Sequence, residues 1–260
     1  MPDGLRLALT TLTIVPVRGP RSLDRRTAGR AMELAPLVGM LLALGAGLVV
    51  YVGRLAGTGP RLGSVLGVTT LVLLTRGLHV DGLADLTDGL GSYRDPEGAR
   101  AVMKAPDIGP LGVAAIVLIL LLQVVALERC IQVGRGTASL VLAVVAGRLA
   151  LTAACRATPA ATTEGLGALV AGTVRRGITS VWAVGTVVLG AAYALVDDDA
   201  RGSDRAQVLR VILAVALSLG AARLLRAHAV RRVGGLTGDV LGALNELATT
   251  VALVVLATTG

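Results

Sequence analysis

Residues 111–127 read Leu-Gly-Val-Ala-Ala-Ile-Val-Leu-Ile-Leu-Leu-Leu-Gln-Val-Val-Ala-Leu, without a single charged side chain. A run of that length and apolarity suits a helix crossing a hydrocarbon core about 30 Å thick. Working outward, comparable windows occur at Leu34–Val52, Leu62–Leu74, Ala138–Ala154, Val181–Val196, Val208–Leu225 and Val240–Ala257. The Leu62–Leu74 window is short; it either runs on to Leu78 or is re-entrant, so six to seven spans are expected. Composition agrees. The 260 residues are 54% hydrophobic with mean hydropathy +0.76, too apolar for a soluble domain of this length. The expected fold is all-α: a polytopic integral membrane helical bundle forming one domain over residues 1–260, with no soluble appendage.

Aromatic residues are only 2% of the chain, and there is no Phe. Interfacial anchoring therefore falls to arginine rather than to Trp/Tyr belts. The 34 glycines suit closely packed membrane helices, with Gly45/Gly47 and Gly63/Gly67 as examples. Cys130 and Cys155 have neither metal-ligand spacing nor a disulfide framework and read as packed thiols. Residues 5–17 resemble a signal-peptide core, but Arg18, Arg21, Arg25 and Arg26 follow at once and no small-x-small cleavage site appears. A retained interfacial segment along the membrane surface is expected instead.

The formal net charge of +8 does not point to nucleic acid, because the basic residues are sorted by side. With the N-terminus cytoplasmic and seven spans, most of the 25 Lys and Arg fall on the cytoplasmic side. They include Arg6, Arg18 and Arg30 before the first span, then Arg76, Arg94, Arg100 and Lys104, and later Arg156, Arg175, Arg223 and Arg226. That asymmetry sets the orientation. Localisation follows as the cell membrane, multi-pass, with the active face cytoplasmic. Asp197–Asp199 then reads as a solvated loop on the opposite side. The three longest hydrophilic stretches, 77–108, 156–179 and 226–239, all fall on the cytoplasmic face, so everything with chemical potential gathers there.

The first of these stretches carries His-Val-Asp-Gly-Leu-Ala-Asp-Leu-Thr-Asp-Gly at 79–89. Spacings of four and three residues put Asp81, Asp85 and Asp88 on one helical face, within roughly 60° of one another. Three like charges repel and are costly beside a membrane, and a divalent cation offsets both costs. Mg²⁺ prefers one or two protein carboxylates with waters and substrate phosphates, which suits acids at a helix end. His79 points off that face, where packing or hydrogen bonding is its simplest role; it is kept among the substrate-binding candidates.

The second constellation is Gly234-Gly235-Leu236-Thr237-Gly238-Asp239, followed by Glu246. A glycine-rich turn entering a helix offers free backbone N–H groups to phosphate, and Asp239 and Glu246 share a helix face about 10 Å apart along the axis. Asp239 is a candidate metal ligand. Arg148, inside the fourth span, either binds a substrate phosphate or neutralises an acid such as Glu246. Lys104 precedes another glycine-bearing approach to a span, where it meets phosphate or snorkels to the interface.

Taken in order, these segments resemble the cobalamin synthase family, the adenosylcobinamide-GDP ribazoletransferases. The matching pieces are Thr-Ile-Val-Pro-Val (13–17), Pro-Leu-Val-Gly (36–39), the 77–89 acidic segment, Met103-Lys104 with Ile108-Gly109 and Gly112, Glu164-Gly-Leu-Gly (164–167), and 234–243 with Glu246. One departure is Lys104-Ala105-Pro106-Asp107, where the family usually has a basic residue, Asp-Ser and a second basic residue. The resemblance implies attack of the hydroxyl of α-ribazole, or of its 5′-phosphate, on the cobinamide-linked phosphorus of adenosylcobinamide-GDP, with GMP leaving and Mg²⁺ as cofactor. In that scheme Asp81, Asp85 and Asp239 are the catalytic candidates, and Asp81, Asp85, Asp88 and Asp239 the metal ligands. Lys104, Arg148, Gly234, Gly235, Thr237, Gly238, Glu246 and His79 bind substrate. The expected partners are those two substrates and the lipid bilayer, with no nucleic acid. A homo-oligomer, or association with other corrinoid-assembly enzymes, is compatible with the chain. Two rivals share some features. A CDP-alcohol phosphotransferase would carry Asp-Gly-x-x-Ala-Arg, which Asp81-Gly82-Leu83-Ala84-Asp85 lacks. An ion or metabolite transporter would place its charges near the bilayer midplane.

Overall fold

Proline sets where several of the helices begin. Its fixed φ and missing N–H suit the first turn, where that donor has no partner, and Pro36, Pro60, Pro96 and Pro110 each stand there. The computed structural model of the protein describes residues 1–196 and 204–258, so Asp197–Asp199 lies outside the described residues. The helices are α1 (Asp3–Leu12), α2 (Arg25–Glu33), α3 (Ala35–Leu55), α4 (Pro60–Leu74), α5 (Leu78–Gly91), α6 (Pro96–Met103), α7 (Pro110–Gln132), α8 (Gly136–Ala157), α9 (Gly165–Val170), α10 (Ile178–Val196), α11 (Asp204–Val233) and α12 (Gly238–Ala257). Among the described residues there is no named strand, only one parallel bridge between Ala160 and Leu236.

All seven apolar windows are helical. α3, α7, α8, α11 and α12 are long and apolar enough to cross a membrane. The short second window is the first arm of a bent pair. α4 and α5 meet at 85°, and together they supply a sixth span or a re-entrant element. The corner is made by Arg76 (φ 56°) and Gly77 (φ 69°), both in the left-handed region that only Gly adopts without strain. α10 is apolar but falls below spanning length over Ile178–Tyr193.

α8 and α12 form the centre of the bundle. Leu140, Ala143, Leu149, Leu241, Leu244 and Leu253 are fully buried there, whereas α7 turns Val117, Leu118, Leu121 and Val125 outward. Small residues set the helix spacing, as expected in membranes. A Cβ on Gly47 would lie 2.6 Å from Thr137, and one on Gly67 would lie 2.8 Å from Val50; Gly45 and Gly63 have ordinary room. Cys130 and Cys155 are buried and unpaired.

The expected N-terminal segment divides into α1, an extended stretch and α2. The Asp24 side chain caps α2 by accepting from the Thr27 N–H at 2.7 Å. The segment is fastened to the body by backbone, with Ile14 N–H donating to the Leu74 carbonyl at 2.8 Å, and by Arg25 donating to the carbonyls of Ala168 and Ala171. The hydrophilic stretches that the charge pattern assigned to one face do meet at one end of the bundle. Arg100 donates to the Val233 carbonyl at 2.7 Å, and the 158–161 segment pairs with Leu236. Arg61 and Glu128, 3.5 Å apart, mark the other end.

Candidate active site

Two glycines, one on each helix, bring α5 and α12 into backbone contact. A Cβ on Gly82 would lie 2.8 Å from Asp239 Cα, and one on Gly242 would lie 3.2 Å from His79 Cα. This approach carries the acids of α5 to the first turn of α12. Asp85 has Asp81, Asp239 and Asp88 as charged neighbours, and Asp239 has Asp81 and Lys104. Asp81 is exposed, while Asp85 and Asp239 are half-buried. The Thr237 hydroxyl caps α12, accepting from Val240 N–H at 3.1 Å, and it donates to Asp239 Oδ2 at 3.3 Å.

Asp88 is placed differently. Its two carboxylate oxygens accept the backbone N–H of Gly109 at 2.7 Å and of Gly112 at 2.9 Å. It therefore caps α7 from another helix, where a carboxylate also suits the helix dipole.

Asp239, Gly238 and Thr237 form one side of a cleft of about 460 Å³. Lys104 and Arg100 line it from α6 and its end, and Thr162, Thr163, Glu164 and Leu166 line it from the loop before α9 and from α9 itself. Gly234 and Gly235 stand behind this surface. Leu236 N–H donates to the Pro159 carbonyl at 2.8 Å, and Ala161 N–H donates to the Leu236 carbonyl at 3.2 Å. A Cβ on Gly235 would lie 2.5 Å from Ala161 N, so this glycine's service is to let two backbones touch. Arg100, Thr162, Thr163 and Glu164 were not among the expected site residues. The polar Thr162-Thr163-Glu164-Gly-Leu-Gly segment, on the same expected face, was the available signal.

His79, Arg148 and Glu246 lie deeper and are not part of the cleft lining. Arg148 Nη1 is 2.5 Å from His79 Nε2 and donates to Asn245 Oδ1 at 2.8 Å. Asn245 Nδ2 donates to Glu246 Oε1 at 3.0 Å, so the amide relays between cation and carboxylate. Gln123, on α7, donates to Glu246 Oε2 at 2.8 Å and to Thr250 Oγ1 at 3.0 Å. Among the described residues, Arg148 Nε has no hydrogen-bond partner; a void of about 30 Å³ adjoins the group, room on the scale of one water. Gln123 and Asn245 are members that a search for charged residues passes over.

A hard cation tests the donor set. Among the described residues, no three carboxylate, imidazole or thiol side chains are close enough to enclose a metal. Asp81, Asp85 and Asp239 nonetheless offer hard oxygens, and among the described residues none of the three is in a salt bridge. Such an open arrangement fits an ion that keeps waters and phosphate oxygens in its shell.

Comparison with known proteins agrees over nearly the whole chain. The profile of the cobalamin-5-phosphate synthase family matches residues 4–257. An adenosylcobinamide-GDP ribazoletransferase of Frankia casuarinae is 46% identical over 98% of this chain and 94% of its own length. Proteins of the same name are 38% identical in Nocardioides sp., over 95% of both chains, and 34% identical in Corynebacterium efficiens, over 93% of this chain and 86% of that one. No solved structure matches. The extent of these matches leads to one conclusion: the chain belongs to the cobalamin-5-phosphate synthase family.

Proposed function

We propose that the protein is a Mg²⁺-dependent ribazoletransferase of the cell membrane, working at the cytoplasmic face. A hydroxyl of α-ribazole, or of its 5′-phosphate, attacks the cobinamide-linked phosphorus of adenosylcobinamide-GDP. A new P–O bond forms, the bond to GMP breaks, and adenosylcobalamin or its phosphate is released with GMP. The names of the relatives and the family match support this substrate pair. The observation that carries the site assignment is the Gly82–Asp239 contact, which sets Asp81, Asp85 and Asp239 together beside a cleft rimmed by Lys104 and Arg100.

Each residue then has a physical task. Asp81, Asp85 and Asp239 would hold Mg²⁺, and a carboxylate of this group takes the proton of the attacking hydroxyl. Bound Mg²⁺ would neutralise diphosphate oxygens and stabilise the charge left on GMP. Lys104, Arg100 and the backbone at Thr237–Gly238 position the phosphates, the main source of catalysis in such transfers. Asp88 contributes by fixing α7 against α5. Arg148, His79 and Glu246 serve by fixing α5 against α8 and α12.

Purified protein supplied with Mg²⁺, adenosylcobinamide-GDP and α-ribazole is expected to release GMP. Asp81→Asn should lower that rate by roughly 10²-fold or more, the scale for removing one charge-stabilising group. Folded protein that releases no GMP sinks the reading, and CMP released from a CDP-alcohol would put the rival phosphotransferase in its place.

A further inference from the structure

A second cavity, of about 420 Å³, lies between α8, α10 and α11 and shares no lining residue with the cleft beside Asp239. Its lining changes in the same sense along all three helices. On α8 it runs from Arg156 near the helix end inward to Ala153 and Ala150. On α11 it runs from Arg226 and Arg223 inward to Leu219, and on α10 from Ser180 at the helix start inward to Ala183. The groove is basic at its mouth and apolar in its depth, and among the described residues no carboxylate lines it.

Three other arginines at this end of the bundle are spent on the fold. Arg25 and Arg100 hold backbone carbonyls, and Arg175 pairs with Glu33. Among the described residues, none of the three groove arginines has an ion-pair partner, and only Arg226 makes a hydrogen bond, a 3.4 Å contact to Thr158 Oγ1. Three guanidinium groups around one groove repel each other, and an anion seated among them relieves that repulsion. Beside the groove, Val181, Val184 and Leu224 are 62–74% exposed, which in a membrane bundle means facing lipid.

We propose that this groove is a binding site for one anionic phospholipid, with the phosphate among Arg156, Arg223 and Arg226 and an acyl chain along the alanine-lined depth. Charge complementarity selects the head, and the inward apolar walls select an occupant with a tail over a free phosphate. Arg156 stands in the last turn of α8, and Arg223 and Arg226 within the last three turns of α11, toward the end where headgroups lie. Arginine suits phosphate through its planar fork of donors.

The test is native mass spectrometry of the delipidated full chain in mild detergent, titrated with phosphatidylglycerol or phosphatidylcholine. One phosphatidylglycerol per chain should persist where phosphatidylcholine is stripped. The triple variant Arg156→Gln, Arg223→Gln, Arg226→Gln should bind it about 100-fold more weakly, given the contribution of each basic residue at an anionic surface. Ala153→Phe, which fills the apolar depth and keeps every charge, should also weaken it and decides the matter if the triple variant fails to fold. Equal retention of the two lipids, unchanged binding in Ala153→Phe or in the folded triple variant, or displacement of the lipid by inorganic phosphate or α-ribazole 5′-phosphate overturns the proposal.

Discussion

Asp81, Asp85 and Asp88 share one helical face, yet the fold gives them two different surroundings. Asp88 gives both oxygens to the first turn of α7, while Asp81 and Asp85 are left to face Asp239. Asp88→Ala should therefore act first on stability, by about 1–2 kcal/mol for the lost cap, read as a lower melting temperature in detergent. Asp81→Asn should leave that temperature nearly unchanged while GMP release falls. Gly82 belongs beside them, because a Cβ there meets the backbone of Asp239 rather than a side chain that can swing away. Gly82→Val is expected to damage both readouts, by pushing α12 off α5. The helical spacing made the acidic face legible in the sequence. It could not reveal the cap, whose donors lie 21 and 24 residues downstream and reach Asp88 only through tertiary packing.

At the scale of elements, the α5 corner is held by polar contacts buried among apolar helices. His79 begins α5, Arg148 sits on α8, Asn245 and Glu246 on α12, and Gln123 on α7. A buried cation stripped of its compensation is costly, whereas removing both charges together costs less. Glu246→Met or Arg148→Met alone should destabilise by about 3–5 kcal/mol, and the double variant by less than the sum. Thermal unfolding of all four proteins in one detergent closes that cycle. Hydropathy located every spanning helix here, since apolar length is a local property. It left the 85° corner as one of two alternatives, and α6 and α9 went unnoticed because helices of eight and six residues carry little periodicity. Arg148 and Glu246 were expected either to meet each other or to serve substrate. Their connection runs through an uncharged amide that no charge pattern marks.

Across the whole molecule, the N-terminal α1–α2 unit straps the end of the bundle where the candidate site lies. Its clasp is Glu33, whose oxygens accept the Arg175 backbone N–H at 3.0 Å and the guanidinium at 2.8–3.1 Å. Burial by itself would raise the Glu33 pKa, but the Arg175 hydrogen bonds and charge outweigh it and hold it below the ordinary 4.5. A carboxylate with a depressed folded pKa stabilises above its unfolded pKa, and that contribution is lost as pH falls through the folded value. The strap should accordingly loosen as pH falls below the ordinary carboxylate range, seen as faster proteolysis within residues 13–24. In Glu33→Gln that acid step should vanish and cleavage should be faster already at neutral pH.

The same clasp has an optical consequence. Trp182 is the sole tryptophan of the chain, and its indole N–H donates to the Glu33 carbonyl at 2.9 Å. Fluorescence excited at the red edge of indole absorption therefore originates from one point, the junction of strap and bundle. Its emission maximum should shift when the strap lifts, so docking of this unit can be followed in the intact enzyme without adding a dye.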